Sequence, residues 1–543
     1  MTAEAPSATV RPDPGAGRRP AADPAPPRPW RPVWRGILLH CALVPLVVLA
    51  PLVALQPSAD HRFNVYANGA RYLSRPWELA GEAFRSVPQY LALGNFRPLG
   101  RMVEWLLDAV TFGLTDLFGL PANISLRLVS FAAAIVLTLA TVMLAECVVS
   151  RGRPFAGPPS LATAVLPFAV GGSFVAAGRT STTVLFGGLY FVTAALALLV
   201  GAAAARIVGR IRLGARLGTG AVLLGAALAA FNEMACLAVP LATLVMLIRA
   251  RLLGLSWRET AGGTGARFVA LLWAGFLPVA VPVRVIIAAK CAAGDCYSGS
   301  DVAPAGALAA LPNRLTSWVP PFTWQRATEG PYGHTLTAAL PLALVVLLLL
   351  VRRFWTDLPR YDTPDRRQAW ALAGTGLAVL LPAAAMGALN PQLQRLAAAG
   401  WWGLGWRDSA LAGAAGALLT VALLTGLFAR GHRTARTHRL GTLGGVLLLA
   451  LVAAVSASAN RDHRAAAAAE KPAFVHDRVA QEIVDFDRSA AGDVRRCTLR
   501  DQFRAGLPRD RRTGYPPEMR RFDQAVDTAT RELAGRPFCT KAP

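Results

Sequence analysis

Residues 123–148 read NISLRLVSFAAAIVLTLATVMLAECV, and this stretch decides the class of fold. It is apolar over most of its length and longer than the roughly 20 residues that an α-helix needs to cross a bilayer. It is one of eleven stretches that qualify or nearly qualify as membrane spans. The stretches are residues 36–55, 123–148, 161–178, 183–205, 217–231, 234–248, 268–289, 335–351, 369–389, 409–429 and 440–459. We therefore predict an all-α polytopic membrane protein with about eleven transmembrane helices.

The composition of the whole chain favours the same class. Of its 543 residues, 54% are hydrophobic and only 16% are charged, and the mean hydropathy is +0.41. Globular proteins average about 25% charged residues, so intrinsic disorder, collagen and coiled coil are excluded for the bulk of the chain. The net charge of +24 would suit nucleic acid. The arginines lie instead in short clusters between apolar runs, where membrane topology needs them, and we expect no nucleic-acid partner.

The arginine clusters set the predicted orientation, because cytoplasmic loops of membrane proteins carry an excess of Lys and Arg. Counting alternate loops from the N-terminus places every cluster on one side. The clusters are Arg28, Arg31 and Arg35; Arg151 and Arg153; Arg206, Arg210, Arg212 and Arg216; Arg249, Arg251 and Arg258; Arg352, Arg353, Arg366 and Arg367; and Arg430, Arg433, Arg436 and Arg439. With eleven spans, we expect a multi-pass protein of the plasma membrane with a cytoplasmic N-terminus and an extracytoplasmic C-terminus.

Composition divides the chain into three parts. Residues 1–33 are rich in Pro, Ala, Arg and Asp without an apolar period, which predicts a disordered cytoplasmic tail. Residues 34–460 hold all the apolar stretches and form the predicted transmembrane domain. Residues 461–543 are charged, with two apolar stripes at helical spacing. They predict a small helical tail domain docked on the outer face.

The first outer loop, residues 56–122, is the longest segment between spans and is rich in aromatic residues. Within it, residues 101–118 place apolar side chains at helical spacing, with Glu104 and Asp108 one turn apart on another face. This pattern predicts an amphipathic helix that lies on the membrane surface.

Four of the seven cysteines fall in segments that the topology places outside: Cys291, Cys296, Cys497 and Cys539. An oxidising exterior permits disulfides. We predict two pairs, Cys291–Cys296 within one loop and Cys497–Cys539 across the tail. The alternative is four free thiols.

Two groups of polar residues in the first outer loop have candidate chemistry. Asp60, followed by His61 and Arg62, lies just past the first span, where a carboxylate can take a proton from a hydroxyl beside a lipid-borne donor. The alternative is a solvated loop aspartate. Arg97 and Arg101 open the interfacial helix and suit a lipid phosphate or pyrophosphate, because guanidinium binds phosphate with a bidentate fork. The alternative for these arginines is headgroup anchoring.

Two further candidates lie at the outer ends of later spans. Asn232-Glu233 separates residues 217–231 from 234–248, which form either a tight hairpin or one broken helix. A glutamate at membrane depth is costly and indicates function, although a hairpin turn also explains it. Arg179 lies in the short outer turn between the third and fourth spans. The sequence has no P-loop, dinucleotide fingerprint or zinc motif.

These motifs together resemble the GT-C class of membrane glycosyltransferases, which take sugars from polyprenyl-phosphate donors. Members carry an acidic motif in the first outer loop, often D-E-x-R-Y or D-D. Asp60 matches the first acid, whereas His61 stands in place of the second. Phe96-Arg97-Pro98-Leu99 is similar to the R-P-L stretch of several such families, and Asn232-Glu233 is similar to the H-E or S-E of others.

The resemblance implies transfer of a sugar from a polyprenyl-phosphate-linked donor to a cell-envelope glycan, lipid or protein at the outer face. Asp60 would be the general base, Arg97 and Arg101 would hold the donor phosphate, and Glu233 would orient donor or acceptor. Four further residues are candidates for substrate binding: His61, Arg62, Arg179 and Asn232. We expect no cofactor and no metal ligands; a divalent cation is compatible with the chemistry but not established.

Two other functions fit the same sequence. One is a non-enzymatic transporter or flippase of lipid-linked glycans, and the other is a structural envelope protein. An enzyme would gather Asp60, Arg97 and Glu233 around one outer cavity. A transporter would place polar groups near the midplane and at both faces of the membrane.

Overall fold

The structure is a computed structural model of the chain. It describes residues 30–57, 61–150, 156–210, 212–294, 296–297, 299–328, 336–428, 435–470, 476–507 and 516–540. Within these ranges the chain is helical and contains no β-strand. Most of residues 1–33 lie outside the described residues, and the first helix begins at Arg31, inside that segment.

The described ranges contain twenty-two α-helices. In chain order they are α1 (Arg31–Leu49), α2 (His61–Ser74), α3 (Glu78–Arg85), α4 (Val87–Ala92), α5 (Pro98–Phe118), α6 (Ala122–Val149), α7 (Leu161–Gly172), α8 (Gly187–Ile207), α9 (Ala215–Ala229), α10 (Ala238–Leu252), α11 (Trp257–Gly262), α12 (Thr264–Ala292), α13 (Ala307–Leu315), α14 (Pro320–Ala327), α15 (Ala339–Asp357), α16 (Arg366–Ala388), α17 (Pro391–Ala398), α18 (Ser409–Phe428), α19 (Ala435–Glu470), α20 (His476–Val484), α21 (Ala490–Ala505) and α22 (Pro517–Ala534).

Among the described residues, nine helices are long and apolar enough to cross a membrane: α1, α6, α8, α10, α12, α15, α16, α18 and α19. The chain is therefore an all-α, multi-pass membrane protein, as predicted. Helices α7 and α9 are apolar but shorter, and they occupy the two remaining predicted spans. The total of eleven spans stays a prediction, because a helix of 12 or 15 residues is shorter than the bilayer core requires.

Connecting segments distinguish two ends of the helix bundle. At one end, Arg249 donates a hydrogen bond to the carbonyl of Ser150 (2.6 Å), and Thr264 donates to that of Ile207 (3.0 Å). We call this the arginine end. At the opposite end, which we call the tail end, α22 packs on α2, and the Tyr297 amide donates to the Leu93 carbonyl (2.9 Å). The assignment of the arginine end to the cytoplasm stays a prediction from the charge pattern.

Helices α9 and α10 form an antiparallel hairpin, not one broken helix. Helix α9 runs alongside α12, which begins at the arginine end, and the chain then turns at the tail end. There the Leu99 amide donates to the carbonyl of Ala230 (3.1 Å). Helix α10 returns to the arginine end, where it places Arg249. The turn at Asn232-Glu233 therefore lies against the start of α5.

A single buried arginine fixes the approach of the first loop to the bundle. Arg127, on the second turn of α6, is 1% exposed. It donates to the carbonyls of Leu55 (3.3 Å), Gln56 (3.3 Å) and Val184 (2.9 Å). Peptide dipoles thus solvate a charge that would be costly to bury alone. The end of the first span is held against the residues that precede α8.

Helix α5 covers the amphipathic segment predicted over residues 101–118. Four apolar side chains point outward and are exposed: Leu106, Val110, Leu117 and Phe118. Glu104 and Asp108 are buried on the opposite face, toward the protein. A Cβ on Gly69 of α2 would lie 2.6 Å from the Phe112 Cβ, so glycine allows α2 to pack closely on α5.

The C-terminal tail forms a small helical unit, α20–α22, that packs on the first loop. Phe522 stacks on Phe503 at 4.2 Å between ring centroids, and both belong to a buried cluster that includes Phe63 of α2. Cys497 and Cys539 lie within bonding distance, and so do Cys291 and Cys296. Helix α19 runs from the bundle through position 460, so the tail continues from the last predicted span as one helix.

Candidate functional site

Two adjoining cavities lie at the tail end of the bundle. The larger, of about 450 Å³, is enclosed by α2, by the loop and helix around Arg97, and by α22 of the tail. The smaller, of about 160 Å³, is enclosed by residues 180–190, 390–392 and 406–407. Arg97 and Tyr297 line both cavities and form their common wall.

Arg97 is placed by the start of α5. Pro98 and Leu99 occupy the first turn, where a proline suits the helix because its missing N–H is not needed there. The Arg97 guanidinium is largely buried, with Nη2 3.7 Å from Oε2 of Glu104. Burial alone would lower its pKa, but Glu104, Tyr190 and Glu233 outweigh burial and raise it. Arg97 is therefore a permanent cation between the two cavities.

Glu233 pairs with an arginine from the loop before α18. Its Oε2 lies 3.8 Å from Nη1 of Arg407, and the side chains of Arg407 and Glu233 are only 13% and 14% exposed. Burial opposes ionisation of the carboxyl, but Arg407 and Arg97 outweigh burial and lower the pKa of Glu233. Arg407 also donates to the Tyr297 hydroxyl (2.8 Å). The site thus holds an ionised glutamate between two arginines.

The turn that carries Glu233 is rigidly supported. The Asn232 amide donates to Oγ1 of Thr193 (2.8 Å), and its Oδ1 accepts from the Ala235 amide (2.9 Å). Asn232 therefore supports the Glu233 turn from beneath. Against the same turn lies Gly100 of α5, where an added Cβ would overlap the carbonyl oxygen of Phe231. Glycine at this position lets the backbone of α5 touch the turn.

His61 and Asp108 face each other behind the larger cavity. His61 Nδ1 lies 4.0 Å from Asp108 Oδ1, which is too long for a hydrogen bond, while Asn68 donates to Asp108 Oδ2 (3.2 Å). Burial and the charge of Arg127 lower the pKa of His61 to about 3. Burial and Glu104 raise the pKa of Asp108 well above its ordinary range. Both directions favour uncharged forms, so the two residues are a neutral pair.

Phe186 connects His61 with the smaller cavity. Its ring lies 4.2 Å from that of His61, between centroids, and it lines the smaller cavity next to Tyr190. Its φ of +54° is in the left-handed region, and Phe186 is the only residue other than glycine there among those described. This conformation costs about 1–2 kcal/mol for a residue with a Cβ. Such strain is concentrated at functional sites.

The structure places the other predicted site residues in different surroundings. Arg101 lines the larger cavity, and its guanidinium carbon lies 3.2 Å from the centroid of the Tyr90 ring. Arg179 is exposed, next to Thr180, which lines the smaller cavity. Asp60 and the side chain of Arg62 lie outside the described residues.

Sequence reasoning missed three residues of the site: Tyr190, Tyr297 and Arg407. Arg407 had a detectable signal, because Trp406-Arg407-Asp408 directly precedes an apolar span. Two charged residues at the end of a span indicate a functional site as strongly as Asn232-Glu233 does. Neither tyrosine had a comparable signal, since aromatic residues are common near membrane interfaces.

The Cys291–Cys296 loop carries Tyr297 into the common wall. The Tyr297 amide donates to Leu93, and Cys296 packs on Gly94, whose φ is +69°. Cys291, Cys296 and Asp301 form the one described group of three residues that could hold a metal ion. The two sulfur atoms lie within bonding distance of each other, so they are not available as thiolate ligands.

Fold and site together define an all-α multi-pass membrane protein with a two-part, arginine-rich cavity at one end of its bundle. No family model matches the chain, no curated protein is significantly similar to it, and no solved structure matches it. Function is therefore proposed from the geometry of the site and from the sequence motifs.

Proposed function

We propose that this protein transfers a sugar from a polyprenyl-phosphate-linked donor to a cell-envelope acceptor. The reaction would take place at the tail end, which the charge pattern assigns to the outer face of the plasma membrane. The observation that carries the proposal is the position of Arg97, flanked by Glu104 and by the Glu233–Arg407 pair. This arrangement holds the guanidinium groups of Arg97 and Arg407 in fixed positions on the lining of the smaller cavity.

The smaller cavity suits the phosphate of the donor. Arg97 and Arg407 line it together with the side chains of Tyr190 and Tyr297. Guanidinium groups bind phosphate oxygens in a bidentate manner, and tyrosine hydroxyls add donors. The cavity lies where α8 begins at Gly187, so a bound phosphate would sit at the membrane boundary with its prenyl chain in the bilayer.

Asp60 remains the proposed general base because the acids that the structure places around the two cavities are poorly suited. Glu104 and Glu233 are each paired with an arginine, and Asp108 is held neutral. Glu233, whose pKa is lowered, is a weak base, because proton uptake would break its pair with Arg407. Asp60 directly precedes His61, whose ring contacts Phe186 at the smaller cavity.

The proposed reaction is a single displacement at the anomeric carbon of the donor sugar. An acceptor hydroxyl attacks that carbon as Asp60 takes its proton. The bond to the phosphate oxygen breaks, and the polyprenyl phosphate leaves with the electron pair. Arg97 and Arg407 stabilise the charge that develops on the leaving phosphate, and preorganised charge of this kind is a large source of rate enhancement.

A transporter of lipid-linked glycans is the second candidate, favoured by one observation. A cavity of about 330 Å³ at the arginine end is lined by Glu146, Ser160, Asp362 and Gln368. A transporter needs polar groups at both ends of its path. Here, however, Glu146 accepts from the Thr163 hydroxyl (2.7 Å), so it joins α6 to the start of α7.

The test compares Asp60→Asn with Arg97→Lys in cells that lack the natural chain. Asp60→Asn should lower the rate of transfer about 10²–10⁴-fold while polyprenyl phosphate still binds. Arg97→Lys keeps the charge but loses the bidentate grip, so binding should suffer more than turnover. Arg85→Lys, at an exposed arginine of α3, is the matched control.

Envelope-glycan composition and protein level are measured in each strain, and polyprenyl phosphate binding is measured on the purified protein. Unchanged glycans with Asp60→Asn at a normal protein level would refute the catalytic proposal. Accumulation of lipid-linked glycan in the inner leaflet of cells without the chain would favour the transporter.

A further inference from the structure

The C-terminal tail supplies one wall of the larger cavity. Helix α22 contributes Arg521, Gln524 and Thr528 to its lining, and the opposite side is formed by residues of the first loop. Two segments far apart in the chain therefore enclose the same space. The wall shared with the smaller cavity, Arg97 and Tyr297, closes the inner side.

Helix α22 is held firmly in this position. Its buried face, with Phe522 and Val526, belongs to the apolar cluster that includes Phe63 and Tyr66 of α2. Arg75, which follows α2, forms an ion pair with Glu532 of α22. The cavity wall is thus the side of a packed helix, which gives a more precise site than a loop would.

The lining of the larger cavity has the chemistry of a carbohydrate site. It combines amide side chains (Asn64, Asn95 and Gln524) with the Tyr90 and Tyr297 rings. Asn95 is only 6% exposed, and its Oδ1 has no hydrogen-bond partner in the described part of the chain. A buried amide oxygen without a partner is costly, and a ligand hydroxyl in the cavity would satisfy it.

The charges on this lining favour an acidic ligand. The described lining includes three arginines: Arg97, Arg101 and Arg521. Glu104 is the one carboxylate among the same lining residues. Glu104 is already close to Arg97, at 3.7 Å. Arg521 lies 4.0 Å from Glu518 of the same helix, which does not line the cavity. The described lining itself therefore carries more positive than negative charge. The volume of about 450 Å³ lies within the usual range for sites that hold small organic molecules.

We propose that the larger cavity is the acceptor site, that its acceptor is a hydroxyl-rich glycan bearing carboxylate or phosphate groups, and that Arg521 and Gln524 determine which acceptor binds. This inference rests on the proposed function. It deepens that proposal by assigning the acceptor side of the reaction to the tail. The two cavities adjoin at Arg97 and Tyr297, which line both, so the acceptor hydroxyl and the donor sugar would meet beside these residues.

The test uses the full-length protein in lipid nanodiscs and measures binding by calorimetry with two probes. The acidic probe is a hyaluronan tetrasaccharide and the neutral probe is maltotetraose. The unmodified protein should bind the acidic probe about fivefold more tightly, and Arg521→Gln should reduce that preference. Gln524→Ala should weaken the binding of both probes about fivefold. Arg520→Gln, at the neighbouring exposed arginine that does not line the cavity, should change neither.

Polyprenyl phosphate binding, measured on the same samples, separates the two proposals. Arg97→Gln should abolish it, and Arg521→Gln should leave it unchanged. Two results would overturn the inference: binding of neither oligosaccharide by the unmodified protein, or the same behaviour of Arg521→Gln and Arg520→Gln. Either result would count against the inference even if Arg97→Gln still abolished lipid binding. Lipid binding that survives Arg97→Gln would instead overturn the proposed function, while an Arg521-dependent preference would still establish the glycan site.

Discussion

Arg407 and Asp408 are neighbours in the chain, yet their side chains enter separate charge pairs. Arg407 faces the smaller cavity and pairs with Glu233 at 3.8 Å. Asp408 is fully buried, and its two oxygens accept from Nε (3.2 Å) and Nη2 (2.5 Å) of Arg314. The bidentate pair fixes the backbone at Asp408 and with it the direction of Arg407. A structural pair thus positions a residue of the site.

We expect Asp408→Asn to destabilise the protein by about 3–5 kcal/mol, because Arg314 would be left as a buried charge with no carboxylate partner. The midpoint of thermal unfolding of the purified protein measures the effect. Arg85→Gln removes an exposed arginine that lies 3.5 Å from Glu82, and it should change stability by less than about 1 kcal/mol. Equal effects of the two substitutions would contradict the buried pair.

Gly100→Ala should separate α5 from the Glu233 turn. Its new Cβ would overlap the Phe231 carbonyl, and such overpacking costs about 1–3 kcal/mol. Because Arg97 precedes this helix turn, polyprenyl phosphate binding should weaken as well. Gly113→Ala is the matched control in the same helix, where the Cβ would make an ordinary 3.4 Å contact with Leu73. Normal lipid binding by Gly100→Ala would show that the close approach does not position Arg97.

The neutral state of His61 predicts a loss of stability in acid. The folded-state pKa of about 3 lies below the ordinary value of 6.5. As the pH falls below 6.5, the unfolded chain binds a proton that the folded chain does not, so stability decreases toward pH 3. Between pH 6.5 and pH 5 this contribution amounts to about 2 kcal/mol.

His61→Asn should remove this contribution, so the difference in unfolding midpoint between the variant and the unmodified protein should change between pH 7 and pH 5. Asp108, with its raised pKa, has the opposite dependence: its cost to the folded state is relieved as the pH falls. Asp108 is present in both proteins, so its contribution to the pH dependence largely cancels in the comparison. The cancellation is only partial, because Asp108 is a neighbour of the substituted side chain at position 61. Parallel pH profiles for the two proteins would show that His61 is charged or accessible when folded.

The Cys497–Cys539 pair should make a measurable contribution to the stability of the tail. The cysteines are 42 positions apart, and closing a loop of that size is worth about 4 kcal/mol in the chain-entropy model. Peptide mapping without reductant should recover the two cysteines as one linked peptide, and Cys497→Ser should lower the unfolding midpoint. Recovery of both as free thiols would remove the prediction.

The orientation of the chain can be tested with tags at two positions. A tag at residue 543 should react with an impermeant reagent on intact cells, because the arginine clusters assign the C-terminus to the outside. A tag at residue 434, within the last arginine cluster, should react only after the membrane is opened. Reaction of both tags under the same conditions would contradict the predicted number of spans.

Much of the fold could be predicted because a bilayer imposes a simple requirement on sequence. Backbone groups in lipid must be paired within the segment, so long apolar runs can only be helices. The helices over residues 122–149 and 409–428 match their predicted spans closely. The amphipathic pattern of residues 101–118 was equally informative, since one face of the helix is exposed and the other is buried against protein.

The site was only partly predictable, because it depends on contacts between distant segments. Arg97 and Glu233 stood out as charges at the ends of apolar stretches, and the structure places them close enough to influence each other's ionisation. Tyr190 lines the smaller cavity because of helix packing, and Arg521 lines the larger cavity because the tail docks there. Neither arrangement leaves a local pattern in the sequence. Arg314 and Asp408 similarly meet only after the chain has folded.

The docking of α22 on α2 joins the last helix of the chain to the second. During synthesis, α2 emerges long before α22, so the part of its apolar face that includes Phe63 and Tyr66 lacks its partners in the tail until the tail has been made. A chain that is released early, or whose tail is clipped by a protease, would keep its membrane spans but lack a wall of the larger cavity. The larger cavity is thus complete only after the tail has been made and has docked on the first loop, because α22 supplies one of its walls.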